Sequence, residues 1–356
     1  MAQDLGPLNE LMEDDSVTDI LVNGLEQIYY ERGGQLYLFE KKFVDDKQLR
    51  EVIEEILKPV GRTISEQEPL VDTRLSDGSR VNIIIPPISL IGPMISIRKF
   101  PKKRLVIDDL IQLGSLTTAM GEFIALTVQA RKNIIISGGT GAGKTTFLNI
   151  CSSFIPGNER IITIEDAAEL RLNQEHVGRL EARPPDLEGK GEISIRRLVI
   201  NALRMRPDRI IIGECRGGEA LDMLQAMNTG HDGSLTTIHA NSPRDALKRL
   251  EVMVLMAGYD LPVRAIREQI ASAVHLIIQI SRLSDGTRKV TEVTQITGME
   301  GEVITTAPIY KYIQTGKDSQ TGKVLGQFRP TGTIPTFLEE IKSKGLTVDM
   351  KIFSAT

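Results

Sequence analysis

One short segment constrains this chain more than any other. Residues 133–150 read NIIISGGTGAGKTTFLNI, which contains Gly138-x4-Gly143-Lys144-Thr145 between an apolar run and a helix-compatible run. That is a P-loop in its proper setting, a strand before the glycines and a helix after them. Glycines let backbone N–H groups close around phosphate oxygens, and a helix N-terminus adds the positive end of its dipole. The residues expected to cradle phosphate are Gly138, Gly139, Thr140, Gly141, Ala142, Gly143, Lys144, Thr145 and Thr146. Lys144 reaches the β- and γ-phosphates, and the Thr145 hydroxyl suits Mg²⁺. A dinucleotide-binding loop fails here, because Gly139-x-Gly141-x-x is followed by Lys144 instead of Gly or Ala. No [NT]KxD tetrapeptide occurs, which favours ATP over a guanine nucleotide.

A phosphate loop needs a carboxylate on a neighbouring strand end, near the metal and the attacking water. Two candidates occur. ERIITIEDAAEL places Glu165 and Asp166 at the end of an apolar run, and DRIIIGECRGGEA places Glu214 after another. The competing readings are a helix N-cap for Asp166 and a solvated strand end for Glu214. Gly213 is read as allowing backbone to approach phosphate closely. GHDGSLTTIHANSPRDAL holds His231 and His239, two of only four histidines. His239 follows an apolar run and sits where a γ-phosphate sensor would stand, although a lone histidine is as often structural.

The rest of the chain supplies the frame. Residues 1–100 alternate short strands with Gly turns and one amphipathic helix, capped by Asp45 and carrying Leu49, Val52, Ile53, Ile56 and Leu57 at helical spacing. LVDTRLSDGSRVNIII reads as a hairpin turning at Asp77-Gly78. From residue 117 to 260, short apolar runs alternate with helices, the pattern of a parallel sheet buried on both faces. HLIIQISR and RKVTEVTQI are further strands near the end. The expected organisation is α/β: a smaller N-terminal α+β domain over 1–100, a linker at 101–112, and a P-loop domain with a parallel-rich sheet over 113–356, which the resemblance given below implies to be a RecA-like ATPase domain.

Composition excludes several alternatives. With 41% hydrophobic and 25% charged residues, 356 residues can build a large core and are not disordered. A net charge of −4, 4% aromatics and no Trp argue against a nucleic-acid binder. Two cysteines, Cys151 and Cys215, form no CxxC pair, so neither a zinc site nor a redox motif is expected. The N-terminus lacks an apolar signal-peptide core, and the apolar stretch 81–97 is interrupted by Pro86, Pro87 and Pro93. A cytoplasmic protein is expected.

Taken in order, the P-loop, ITIEDAAEL, RMRPDRIIIGECRGGEALDMLQAMNTGHDGSLTTIHANSPRDAL and their spacing resemble the secretion traffic ATPases, which power type II and type IV secretion and type IV pili. That family's four elements are Walker A, an Asp box, a Walker B ending in Gly-Glu, and a His box. VNGLEQIYYERGGQL, DGSRVNIIIPPISL, MISIRKF and LGQFRPTG resemble the CpaF/TadA type, the motor of Flp (tight-adherence) pili. The resemblance covers essentially the whole chain. It starts almost at once, so a further N-terminal region with membrane-docking capacity is expected to be absent or very short.

The resemblance implies ATP and Mg²⁺ as ligands, with Thr145 and Glu214 at the metal. It implies that Glu165 polarises the attacking water, that Glu214 supports metal and water, and that His239 contacts the γ-phosphate. The family brings arginines from its N-terminal domain to the nucleotide, and Arg80 and Arg98 match those positions, with surface solubility as their bland alternative. Arg206 and Arg216 are weaker candidates for subunit contacts. The implied assembly is a homo-hexamer on the inner face of the cytoplasmic membrane, working on an inner-membrane platform protein. The implied motor couples domain closure on ATP to movement. The alternatives from other classes are a RecA-like nucleic-acid translocase or helicase and a non-hydrolysing scaffold. Intact Lys144, Glu165 and Glu214 speak against the scaffold.

Overall fold

The computed structural model describes residues 3–100, 104–185 and 189–354. Residues 101–103 of the expected linker lie outside them. The chain divides into two compact units, residues 1–104 and 105–356.

The first unit follows from period-two burial. Its elements are α1 (Asn9–Glu13), β1 (Val17–Asn23), β2 (Gln27–Arg32), β3 (Gln35–Leu38), α2 (Asp46–Leu57), β4 (Leu70–Arg74), β5 (Arg80–Ile84) and β6 (Met94–Arg98). The strands form one six-stranded sheet, order β3-β2-β1-β6-β5-β4, with every pairing antiparallel. Val81 and Ile83 of β5 and Ile95 and Ile97 of β6 point into a core with Leu49, Val52, Ile53 and Ile56 of α2. Alternate residues, among them Arg80, Ser96 and Arg98, are exposed. One face is therefore covered and the other is polar. The Asp45 side chain caps α2 by accepting from the Gln48 N–H at 2.8 Å.

The second unit follows from strands that are apolar on both sides. Its elements are α3 (Ile107–Gln112), α4 (Thr118–Gln129), β7 (Ile134–Gly138), α5 (Lys144–Ser152), β8 (Ile161–Glu165), β9 (Val177–Glu181), α6 (Ile195–Ala202), β10 (Arg209–Ile212), α7 (Glu219–Asn228), β11 (Leu235–His239), α8 (Pro243–Leu255), α9 (Val263–Ala273), β12 (Leu276–Arg282), β13 (Arg288–Glu300), β14 (Val303–Lys317), β15 (Val324–Pro330) and α10 (Leu338–Ser343). Residues 107–112, inside the expected linker, form α3 and belong to this unit. The sheet order is β15-β14-β13-β12-β7-β11-β10-β8-β9. The six strands from β12 to β9 are mutually parallel, and β13, β14 and β15 extend one edge as an antiparallel meander.

All of β7, β8 and β10 is buried. Ile134 and Ile136 pack on one side with Phe123 and Ile124 of α4 and Phe147 and Leu148 of α5. Ile135 packs on the other with Leu221 and Leu224 of α7, Leu250 of α8 and Ile266 of α9. At the start of β10 the Arg209 side chain, fully buried, is held by Glu159, with Nε to Oε2 at 2.5 Å. A buried charge is tolerable when it is paired in this way.

Candidate functional site

Parallel pairing puts the strand ends that follow the apolar runs on one edge of the sheet. Gly138 ends β7 and lies in register with His239, the last residue of β11, and with Ile280 of β12. Ile164 of β8 lies opposite Ile212 of β10, so Glu165 and Gly213 leave the sheet side by side. In open parallel sheets, the crevice at the carboxyl ends of the strands is where ligands bind.

Between β7 and α5 the phosphate loop is shaped by its glycines. A Cβ on Gly138 would stand 2.6 Å from the Ile280 carbonyl oxygen, so no side chain fits. Gly141 and Gly143 adopt φ of +68° and +96°, the left-handed region. Lys144 opens α5, and the first-turn N–H groups of a helix have no intrahelical partners, which suits them to an anion. Gly139, Gly143, Lys144 and Thr145 are half-buried, Ala142 is buried, and Thr140 and Thr146 are exposed. The Lys144 ammonium donates to the Gly139 carbonyl at 3.1 Å. Burial lowers its pKa, with Arg216 and Arg249 adding to the effect and Glu214 opposing it.

Glu165 is 2% exposed. Its Oε2 accepts from the backbone N–H groups of Glu169 and Leu170 at 2.7 and 2.8 Å. Among the described residues, buried Oε1 has no hydrogen-bond partner. Burial pushes this carboxyl above the usual range, against the pull of the two N–H donors. The loop that supplies those donors is tied to α5, where Asn149 Oδ1 accepts from the Arg171 N–H at 3.0 Å. No helix starts at Asp166, so the N-cap reading is corrected: Asp166 is exposed and lies 3.7 Å from Arg216 Nη1. Gly213 also has a neighbour that the sequence did not disclose. A Cβ there would meet Glu165 Cγ at 3.1 Å, so the missing side chain makes room for the buried carboxylate arm.

Glu214 accepts from Arg216 through Nε at 2.9 Å and Nη2 at 2.5 Å. Arg216, read as a subunit-contact candidate, thus pairs inside its own chain, and Glu214 is ion-paired where a merely solvated strand end was the alternative. His239 is half-buried at the site edge. His231 lies in the turn that leads into β11, at the opposite end of that strand. Arg206 precedes β10, at the end away from Glu214. The Cys151 and Cys215 thiols are buried and pushed up by that burial, which removes them as nucleophiles.

Arg80 and Arg98 belong to the first unit and are direct cross-strand neighbours. Arg74 lies opposite Arg80, and Asp19 opposite Arg98, so one row across β4, β5, β6 and β1 reads Arg, Arg, Arg, Asp. Arg98 Nε is 3.2 Å from Asp19 Oδ1. Like charges placed directly opposite each other destabilise a sheet, and Asp19 at the end of the row offsets part of that cost.

Sequence reasoning missed Arg249, Arg282 and Arg288. Arg288 Nε donates to the Gly141 carbonyl at 2.9 Å from 147 residues away, and no local motif signals it. The pairing of β7 with β12 brings it there.

The donor set fits Mg²⁺ only in part by itself. The expected ligands are a hydroxyl and a carboxylate, hard oxygen donors of the right kind. Among the described residues no group of three His, Cys, Asp or Glu side chains could hold a metal ion. A metal here would share its coordination with phosphate oxygens, the usual habit of Mg²⁺.

A glycine loop between strand and helix at the carboxyl edge of a parallel sheet, with acidic residues on two neighbouring strand ends, defines a P-loop protein of RecA-like build. The family model for type II/IV secretion system proteins matches residues 1–321, and the chain belongs to that family. It is 33% identical over 291 residues to the conjugal transfer protein TrbB of Rhizobium radiobacter, covering 81% of this chain and 86% of that one. It is 33% identical over 305 residues to the type IV secretion system protein PtlH of Bordetella pertussis, covering 78% and 89%. Its fold matches the crystal structure of the pilus retraction motor PilT with bound ADP at a TM-score of 0.58 and 19% identity, covering 97% of this chain and 88% of that one. Among the described residues no helix is long and apolar enough to cross a membrane.

Proposed function

We propose that this chain hydrolyses ATP as a motor of a type II/IV secretion or type IV pilus machine, with the Flp (tight-adherence) pilus as the particular setting. The observation that carries the reading is the convergence of the phosphate loop, Glu165, Glu214 and His239 on one edge of the parallel sheet. Phosphoryl transfer needs positioning and charge neutralisation more than covalent chemistry. Loop N–H groups and Lys144 hold the β- and γ-phosphates. Thr145 and Glu214 would hold Mg²⁺, which supplies positive charge to the phosphates when bound. Glu214 gives up Arg216 when it takes that role. Glu165, with one oxygen fixed by backbone and the other unpartnered among the described residues, is suited to orient and polarise water. His239 senses the γ-phosphate.

Arg80 and Arg98 add cations from the first unit. An arginine mounted on a separate unit links closure to nucleotide state, and that linkage is what a motor needs. The working assembly is a homo-hexamer at the inner face of the cytoplasmic membrane, driving an inner-membrane platform protein. The name of the PtlH relative supports type IV secretion, and that of the TrbB relative supports conjugal transfer, as settings for the motor.

Steady-state ATPase measurement on the full chain tests the site. Lys144→Ala should bring turnover to background with the fold intact. Glu214→Gln should retain nucleotide binding and slow turnover by roughly 10²-fold or more, the scale of losing an acid–base group. If both Glu214→Gln and Glu165→Gln turn over normally, the site is wrong.

A further inference from the structure

The antiparallel hairpin of β12 and β13 reaches the phosphate loop. Arg282 ends β12, Arg288 begins β13, and the two are paired in register. Arg288 Nε donates to the Gly141 carbonyl at 2.9 Å. Its Cδ lies 3.4 Å from where a Cβ on Gly143 would stand, and Arg282 Nη1 lies 3.5 Å from the corresponding point on Gly141. The hairpin thus packs against the two loop glycines with left-handed backbone. A Cβ at either position would be in ordinary contact with the hairpin, and it is the left-handed backbone, at φ of +68° and +96°, that favours glycine there.

The turn between the two arginines is itself held. The Leu283 N–H donates to Thr287 O at 2.7 Å. Asp285 Oδ1 accepts from the Thr287 N–H and hydroxyl at 3.0 and 2.7 Å. Its Oδ2 accepts from the N–H of Val324, the first residue of β15, at 2.8 Å. A chain of direct contacts therefore runs from β15 through Asp285 and the hairpin to the phosphate loop.

A loop of glycines is costly to order, because glycine loses more conformational freedom than any other residue. A ligand that must order its own binding loop binds more weakly than one that meets the loop already formed. A charge-assisted bond to the Gly141 carbonyl, on an arm anchored through β15, orders the loop in advance.

We propose that Arg288, supported by the Asp285 turn, is a positioning residue that preorganises the phosphate loop for nucleotide, and that it couples loop occupancy to the β13–β15 meander. This rests on reading the loop as an ATP site. The contact is specific: the side-facing Nε–H of a guanidinium meets one carbonyl, which a lysine ammonium cannot reproduce from the same position.

The test uses the full chain with Arg288→Ala and Arg288→Lys. Hydrogen exchange of residues 139–144 without nucleotide reports loop order alone, and ADP binding and steady-state kinetics report its use. Arg288→Ala should speed exchange in the loop, weaken ADP about tenfold, the scale of one charge-assisted hydrogen bond, and raise the KM for ATP, with kcat changed far less than KM. Arg288→Lys should recover less than half of the lost affinity. The proposal is overturned if Arg288→Ala leaves loop exchange and ADP affinity at the wild-type values, if its loss falls on kcat alone, or if Arg288→Lys restores both properties fully, because charge alone would then be the cause. If the wild-type protein binds neither ADP nor ATP, the nucleotide reading fails. Unchanged loop exchange in Arg288→Ala fails the positioning claim independently of that outcome.

Discussion

The two sheets solve the same burial problem in opposite ways, and the contrast decides where each can carry function. The antiparallel sheet of residues 1–104 covers one face and leaves the other polar, so its functional candidates lie on a face, in the row of Arg74, Arg80 and Arg98. The sheet of residues 105–356 buries β7, β8 and β10 on both faces. Only its edge is left for chemistry, and Gly138, Glu165, Glu214 and His239 are found there. A face tolerates substitution because exposed side chains have room. An edge built from close backbone approaches does not.

Adding one methyl group sharpens that difference most. Gly138→Ala forces a Cβ to within 2.6 Å of the Ile280 carbonyl. It should destabilise the second unit by about 1–3 kcal/mol, the usual cost of overpacking, and should abolish nucleotide binding. Gly33→Ala in the first unit, at φ +59° with nothing within 4 Å of the new Cβ, carries backbone strain alone and should leave turnover intact. Urea unfolding and ADP binding of both variants check this. Equal loss of binding in the two would break the distinction.

A smaller effect concerns the buried carboxylate. Burial holds the folded-state pKa of Glu165 above its ordinary value. The folded state therefore holds this proton more tightly than the unfolded chain. The resulting stability is fully present below the ordinary carboxylate pKa and is lost as pH rises through the raised one. Glu165→Gln stays neutral throughout. Its melting temperature should match or exceed the wild type's by a few degrees at pH 8, roughly the shift that 1 kcal/mol produces, and the gap should close toward pH 4. A variant that melts well below wild type at pH 8 would mean that the Glu169 and Leu170 N–H groups outweigh burial.

The same contrast explains what the sequence disclosed. Elements whose signal is local were legible. The phosphate loop declares itself in eight residues, the Asp45 cap in a single side chain, and Glu165 and Glu214 by following apolar runs. The Asp77-Gly78 turn marked the β4–β5 hairpin, and short apolar runs marked β7, β8 and β10. Long β14 and short β15 escaped, because ITTAPIYKYIQTGK mixes Thr, Lys and Gln into an edge meander with half-exposed positions and no clean period. The packing of Gly213 against Glu165 was not legible, because Glu165 lies one strand away and only register reveals it. Arg288 was invisible for the same reason, since its partner is 147 residues distant.

The proposed mechanism has the arginines of the first sheet and the loop edge of the second serve one reaction. The most direct measurement is steady-state ATPase of the full chain with Arg80→Ala, Arg98→Ala and both together, with circular dichroism and ADP affinity as controls. These exposed side chains can be removed without opening a core. The account predicts folded variants that still bind ADP through the loop and lose at least about tenfold in turnover, the scale of one charge-assisted phosphate contact. Turnover equal to wild type in the double variant would contradict it, and would leave the first sheet with no part in hydrolysis.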